Sequence, residues 1–133
     1  MVQYRRPESI LVLIYTLRHE ILLLKRIHPF SYWQSVTGSM QKNETKEMAA
    51  PRELKEETGL YPTKMWTIDQ VNNYYDPKYD KVFLIPVFGI EVNKKDVELS
   101  TEHTDYYWGS IESVKKKLLW NQQKGGLENF YQM

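Results

Sequence analysis

The sequence predicts an α/β fold in which a mixed β-sheet carries helices on its faces. Two observations predict it. Apolar, β-branched runs and segments rich in helix formers follow one another in the order strands, helix, strands, helix. The 133 residues, 41% hydrophobic and 26% charged, have the size and composition of one soluble domain, expected to span residues 1–133.

The first elements are predicted to form a β-hairpin. Ser9–Leu17 and Glu20–Ile27 are apolar runs rich in Ile, Leu and Val, and only two residues separate them. Gln34–Thr37 follows as a short extended piece that ends at Gly38. We therefore expect antiparallel strands before the first helix.

A helix is predicted over Glu44–Thr58, which is dense in strong helix formers and stops at Gly59. Pro51 lies inside it and has no N–H to donate to the carbonyl group of Glu47. An interior proline costs about 3 kcal/mol unless the helix kinks or starts late. We expect a bend there.

Two further strands are predicted at Met65–Tyr75 and Lys81–Val92. Within the second, Val82–Val87 is almost continuously apolar, which is typical of a strand covered on both faces. Pro86 interrupts this run and predicts a bulge or an unpaired backbone position.

The last elements are a short strand at Tyr106–Trp108 and a helix that begins after Ser110. Ser110 is a favourable N-cap residue. Ile111, Val114 and Leu118 keep helical spacing behind it. These elements complete an order in which helices cover a mixed sheet.

Composition excludes several classes of function. The 18 basic and 17 acidic residues give a net charge of +1, which argues against a nucleic-acid partner. The absence of cysteine excludes disulfides, thiolate zinc sites and cysteine nucleophiles. The apolar stretch Ser9–Leu17 is too short to span a membrane, and no cleavage site follows it. We expect a cytoplasmic protein with no membrane partner.

Three carboxylates in the predicted helix stand out. Glu53, Glu56 and Glu57 occupy positions i, i+3 and i+4, which lie on one helix face. Their mutual repulsion is relieved by a cation, and Mg²⁺ or Mn²⁺ prefers oxygen ligands. The alternative is an ordinary solvated acidic face.

The residues around these carboxylates favour the metal-binding interpretation. In order they are Gly38, five residues, Glu44, seven residues, Arg52-Glu53-Leu54, one residue, Glu56-Glu57, one residue, and Gly59-Leu60. At all nine specified positions this pattern resembles the signature box of the Nudix hydrolases, G-x5-E-x7-R-E-U-x-E-E-x-G-U, in which U is aliphatic. The resemblance implies an α/β/α sandwich around a mixed sheet, with the box as a loop–helix–loop.

The resemblance also implies a chemistry, the metal-dependent hydrolysis of a phosphoanhydride bond. Carried over by position, Glu53, Glu56 and Glu57 are metal ligands, and the carbonyl group of Gly38 is a further one. The implied cofactor is Mg²⁺, with Mn²⁺ as a substitute. The resemblance implies structural roles for the remaining box residues, an ion pair between Glu44 and Arg52 and a turn at Gly59.

Shorter strings resemble one subgroup, the bacterial dihydroneopterin triphosphate pyrophosphatases, often described as dATP pyrophosphohydrolases. These strings are Arg5-Arg6-Pro7, Trp33–Gly38, Thr101–His103, Tyr107-Trp108 and Trp120. The likeness implies that Glu102 is a metal ligand or the general base, and that Arg5, Arg26 and Thr37 contact the substrate. The products would be a monophosphate and pyrophosphate.

Alternatives within and outside enzymes stay open. The box is equally compatible with a MutT-like hydrolase of oxidised nucleotides or a hydrolase of another linked nucleoside diphosphate. A non-catalytic nucleotide sensor is less favoured, because a binding module has no need for three metal-binding carboxylates. The only expected partner is a small-molecule nucleotide or pterin triphosphate, with the chain a monomer or small homo-oligomer. His19, His28 and His103 share no metal-ligand spacing, which argues against a histidine zinc site.

Overall fold

The computed structural model describes residues 10–15, 18–28 and 30–118. The described residues form seven strands and two helices, namely β1 (Ile10–Tyr15), β2 (Ile21–Arg26), β3 (Tyr32–Gln34), β4 (Val36–Gly38), α1 (Lys46–Thr58), β5 (Lys64–Asp76), β6 (Lys81–Glu91), β7 (Asp105–Gly109) and α2 (Ile111–Lys117). Neither helix within these ranges is long and apolar enough to cross a membrane. The terminal residues Arg5 and Trp120, singled out in the sequence, lie outside the described residues.

All seven strands belong to one mixed sheet. Its main order is β3-β2-β1-β6-β5, while β4 pairs with β1 and β7 pairs with β2. The β1–β6 pair is parallel, and the other pairs are antiparallel. The predicted hairpin is confirmed by the pairing of Tyr15 with Ile21.

Strand β2 explains why helices lie on both faces of the sheet. Its first four residues, Ile21–Leu24, are all buried. Because side chains alternate along a strand, the even-numbered members point to one face and the odd-numbered members to the other. The even-numbered pair shares a cluster with Leu54 of α1, and the odd-numbered pair shares one with Val114 of α2. The two helices therefore cover opposite faces, which confirms the α/β/α sandwich.

Helix α1 begins two residues later than the sequence predicts. Thr45 caps it, since its side-chain oxygen accepts a hydrogen bond from the backbone N–H of Met48 at 3.2 Å. Glu44 stays outside the helix, where its carboxylate binds Arg52. The helix continues through Pro51 to Thr58, and the bend expected at the proline stays a prediction.

Gly59 ends α1 in the left-handed conformation, with φ of 74°. Its N–H donates to the carbonyl group of Lys55 at 2.9 Å. We expect Gly59→Ala to lower the free energy of unfolding by about 1–2 kcal/mol, because a side chain is strained at this φ. Gly59→Asn should lose less, since Asn tolerates this conformation better. Urea unfolding of the three proteins measures the difference, and equal stability of the alanine variant would contradict it.

The β5–β6 ribbon departs from the sequence prediction on one face. Ile85 and Val87 are buried, but Val82 and Leu84 are each 64% exposed. The prediction that Val82–Val87 is covered on both faces is therefore wrong for its outer part. Apolar composition alone does not reveal how far the ribbon extends beyond the helices that cover the sheet.

A bulge lies beside Pro86, as the sequence predicts. Thr67 pairs with Phe88, whereas Val71 pairs with Pro86, so the β5 register shifts between these two pairs. Proline has no backbone N–H to donate in a regular strand pair. The extra residues of β5 form a bulge at this position, where regular pairing is interrupted. The predicted bulge is confirmed, and it lies on the partner strand.

Helix α2 and strand β7 also agree with the sequence. Ser110 caps α2 by accepting a hydrogen bond from the N–H of Ser113 at 3.3 Å. Leu118 lies just past the helix and forms an isolated bridge with Trp33. Strand β7 fixes the position of the loop that precedes it, which carries Glu102.

Candidate active site

A cavity of about 280 Å³ lies between α1 and the loop that joins β6 to β7. It is lined by Ser39, Glu53, Glu56, Glu57, Ser100, Thr101 and Glu102. The structure thus brings together the four glutamates, Glu53, Glu56, Glu57 and Glu102, that the family resemblance implies as metal ligands or general base. Carboxylates concentrated in one cavity create a strongly negative site.

An ion pair fixes the loop before α1 against the helix. The Arg52 guanidinium donates from Nε to Glu44 Oε2 at 2.6 Å and from Nη2 to Glu44 Oε1 at 2.8 Å. Nη2 also donates to the carbonyl group of Ser39 at 2.7 Å. The hydrogen bond from Arg52 is the main cause that lowers the pKa of Glu44. This two-pronged geometry suits the planar arginine fork, and lysine could not reproduce it.

Arg52 also orients two of the cavity carboxylates. Its Nη1 donates to Glu53 Oε1 and to Glu56 Oε2, both at 3.0 Å. Burial is the main cause that raises the pKa of Glu53. Arg52 opposes that rise, while the charges of Glu56 and Glu102 add to it. One cation therefore faces several carboxylates, and the excess negative charge favours a further positive ion.

Gly38 lies directly against Glu53. A Cβ atom placed on Gly38 would overlap the carboxyl group of the Glu53 side chain. The need for glycine here comes from this close approach of strand β4 to α1 and not from a positive φ. The structure thus brings Gly38 to the edge of the carboxylate cluster.

The loop that carries Glu102 is attached at both ends. The N–H of Glu98 donates to the carbonyl group of Thr58, the last residue of α1, at 2.9 Å. The N–H of Thr104 donates to the carbonyl group of Lys25 in β2 at 3.0 Å. These two bonds hold Glu102 opposite the glutamates of the helix.

His103 belongs to the same site, although its spacing from His19 and His28 in the sequence did not indicate a metal ligand. A ring nitrogen of His103 and carboxylate oxygens of Glu57 and Glu102 all lie within 4.8 Å of one another. His103 is buried, and burial is the main cause that lowers its pKa to about 4. The imidazole is therefore neutral at pH 7. Its position next to Glu102 in the chain is the signal that could have found it.

The predicted substrate contacts are located only in part. Arg26 ends β2, and its charge contributes to the lowered pKa of His103, which places it near the site. Thr37 is buried in β4, one residue before Gly38. Neither residue lines the cavity, and Arg5 lies outside the described residues.

Comparison with known proteins agrees with this geometry. A family model described as the NUDIX domain matches residues 5–130. The chain belongs to the NUDIX family. This Nudix hydrolase is 31% identical to dihydroneopterin triphosphate diphosphatase of Haemophilus influenzae, over 86% of the chain and 80% of that protein. Its fold superposes on the dihydroneopterin triphosphate pyrophosphohydrolase of Escherichia coli with a TM-score of 0.78 and 25% identity, covering 96% of both chains.

A third relative has another activity in its name. The chain is 24% identical to mouse bis(5'-nucleosyl)-tetraphosphatase [asymmetrical], over 85% of this Nudix chain and 79% of that protein. Nudix hydrolases generally use a divalent metal ion. The donor set here fits such an ion, because carboxylate oxygens of four glutamates line one cavity and a ring nitrogen of buried His103 lies within 4.8 Å of two of those carboxylates.

Proposed function

We propose that this Nudix hydrolase cleaves a pterin or nucleoside triphosphate to the monophosphate and pyrophosphate, with dihydroneopterin triphosphate as the preferred substrate. The observation that carries the reaction is the convergence of Glu53, Glu56, Glu57 and Glu102 on one cavity. The pterin preference is supported by the names of the relatives from Haemophilus influenzae and Escherichia coli.

Mg²⁺, with Mn²⁺ as a substitute, would be held by the four cavity glutamates and the carbonyl group of Gly38. When bound, it neutralises the polyphosphate and acidifies the attacking water. In this proposal Glu53, Glu56 and Glu57 serve as ligands, and Glu102 serves as a ligand or as the general base. Arg26, Thr37 and Arg5 are proposed to contact the substrate.

The protein's own part is positioning and proton transfer. Arg52 holds the Glu53 and Glu56 carboxylates in place through the hydrogen bonds from Nη1. A carboxylate of the cavity, Glu102 or one of the helix glutamates, takes a proton from water as the oxygen attacks phosphorus. The anhydride P–O bond breaks, and pyrophosphate leaves with the bonding electron pair. Little covalent work remains, so catalysis rests on orientation and charge.

A substrate panel tests the proposal. Product release is measured chromatographically with Mg²⁺ and dihydroneopterin triphosphate, dATP, an oxidised guanine nucleotide or diadenosine tetraphosphate. We expect the pterin to lead in kcat/KM by tenfold or more, which is about 1.4 kcal/mol of differential transition-state binding. A lead by the oxidised nucleotide would replace the proposal with a MutT-like activity.

The second candidate is hydrolysis of a dinucleoside polyphosphate. It is favoured by the mouse relative, whose name describes an asymmetrical tetraphosphatase. In the same panel this activity would release ATP and AMP from diadenosine tetraphosphate and little pyrophosphate from the pterin. If no compound in the panel is hydrolysed, both candidates fail and a nucleotide-binding role takes their place.

A further inference from the structure

His103 carries a buried ring nitrogen that the proposed reaction does not use. The residue is 5% exposed, and its Nδ1 makes no hydrogen bond to any residue that the structure describes. Buried polar atoms are normally paired, because an unpaired one loses its hydrogen bonds to water without replacement. None of the described side chains supplies a partner for this nitrogen, and a bound ion would supply one.

Gln34 contacts the other ring nitrogen of His103, Nε2. Nε2 of His103 lies 3.2 Å from the amide nitrogen of Gln34, and the amide oxygen of Gln34 makes no hydrogen bond to the described residues. We assign the Gln34 amide the opposite orientation, turned by 180° so that its oxygen faces Nε2, and Nε2 then carries the proton. Nδ1 is left with a lone pair, on a ring of which one nitrogen lies within 4.8 Å of carboxylate oxygens of Glu57 and Glu102. A lone pair beside carboxylate oxygens is favourable only when a cation lies between them.

We propose that Nδ1 of His103 is a ligand of the divalent ion, together with Glu57 and Glu102, and that Gln34 orients the ring. This inference rests on the proposed function, to which it adds a nitrogen ligand from outside the signature box. One ring nitrogen of His103 and carboxylate oxygens of Glu57 and Glu102 lie within 4.8 Å of one another. Ligands about 2.1 Å from one ion lie roughly 3–4 Å apart, so only a small closure is needed.

A nitrogen ligand changes which ion the site prefers. Imidazole suits transition-metal ions such as Zn²⁺ better than it suits Mg²⁺, which favours an all-oxygen set, and Mn²⁺ is the transition-metal ion that this site is proposed to accept. His103 should therefore raise the affinity for Mn²⁺ more than that for Mg²⁺. Removing the His103 imidazole should narrow the difference between the affinities for Mn²⁺ and Mg²⁺.

Electron spin echo spectroscopy of bound Mn²⁺ tests the ligand without any substrate. We expect ¹⁴N modulation from a coordinated imidazole in the wild-type protein and its loss in His103→Gln. Titration should show Mn²⁺ affinity falling about tenfold or more in that variant, with a smaller change for Mg²⁺. The matched control is His28→Gln, which removes an exposed histidine and should keep the signal.

The test does not depend on the folding of one variant. A wild-type protein that binds Mn²⁺ without ¹⁴N modulation overturns the ligand assignment, and so does modulation that persists in folded His103→Gln. If His103→Gln does not fold, a His19→Gln, His28→Gln double variant should retain the modulation, which assigns it to the remaining histidine. Loss of modulation in that double variant also overturns the assignment. Hydrolysis of the substrate panel is measured separately, so the proposed function can fail or survive independently.

Discussion

Replacing Glu56 and Glu57 together by glutamine is expected to lower kcat by at least about 10³-fold, or roughly 4 kcal/mol of transition-state stabilisation. Both side chains line the cavity, and Glu57 is only 5% exposed. Glutamine keeps the shape but removes two negative charges that a divalent ion needs. Steady-state pyrophosphate release with saturating Mg²⁺ measures the change.

The fold is expected to survive this double substitution. Removing two like charges from a crowded site relieves repulsion and offsets the loss of the exposed Arg52–Glu56 ion pair, so Tm without metal should change little. The matched control is Glu47→Gln, an exposed position in the first turn of the same helix, which should keep wild-type kcat. Undiminished turnover by a folded double variant would sink the metal-dependent mechanism.

Adding one methyl group at Gly38 is the second change with a large expected effect. In Gly38→Ala the new Cβ atom would occupy the space of the Glu53 carboxyl group, which must move away. That carboxyl group accepts a hydrogen bond from Arg52 at 3.0 Å, so the displacement also disturbs the arginine fork. A displacement of a catalytic or ligand group by about 1 Å can lower the reaction rate 10²-fold, so we expect kcat to fall about 100-fold.

Gly59→Ala provides the comparison, because it adds the same methyl group just past the C-terminus of α1, away from Glu53. There the Cβ atom meets Glu98 at an ordinary contact distance of 3.5 Å. The loss of stability therefore comes from the strained backbone φ alone. We expect Gly59→Ala to lose stability with kcat retained and Gly38→Ala to lose kcat. Equal kcat values for the two variants would contradict the proposed role of the close approach.

The signature box was predictable because its geometry is local. The spacing from Glu44 to Glu57 puts carboxylates and Arg52 on one helix face and its preceding loop, and the structure shows them there. Glu102 entered only through family resemblance, since no local pattern joins it to the helix. The catalytic and ligand roles of these residues stay predictions, as do the cytoplasmic location, the oligomeric state and the single domain over residues 1–133.

Features that depend on strand pairing were not predictable. His103 reaches the site because β7 pairs with β2 and brings the preceding loop beside Gln34 of β3. The exposure of Val82 and Leu84 depends on how far the ribbon extends past its covering elements. Neither property is encoded in the residues' own composition or periodicity.

The backbone hydrogen bond from Glu98 to Thr58 has a consequence for the order of folding. Helix α1 consists of local contacts, whereas Glu102 follows Glu57 by about 45 residues, and the whole β5–β6 ribbon lies between them. Bringing Glu102 next to Glu57 costs the conformational entropy of the chain between them before any contact compensates. The loop that joins β6 to β7 should therefore pack against α1 late in folding. The metal site would therefore be complete only after the β5–β6 ribbon has formed. Tight metal binding would then report completion of the sheet, and bound metal would slow unfolding by stabilising the last part to assemble.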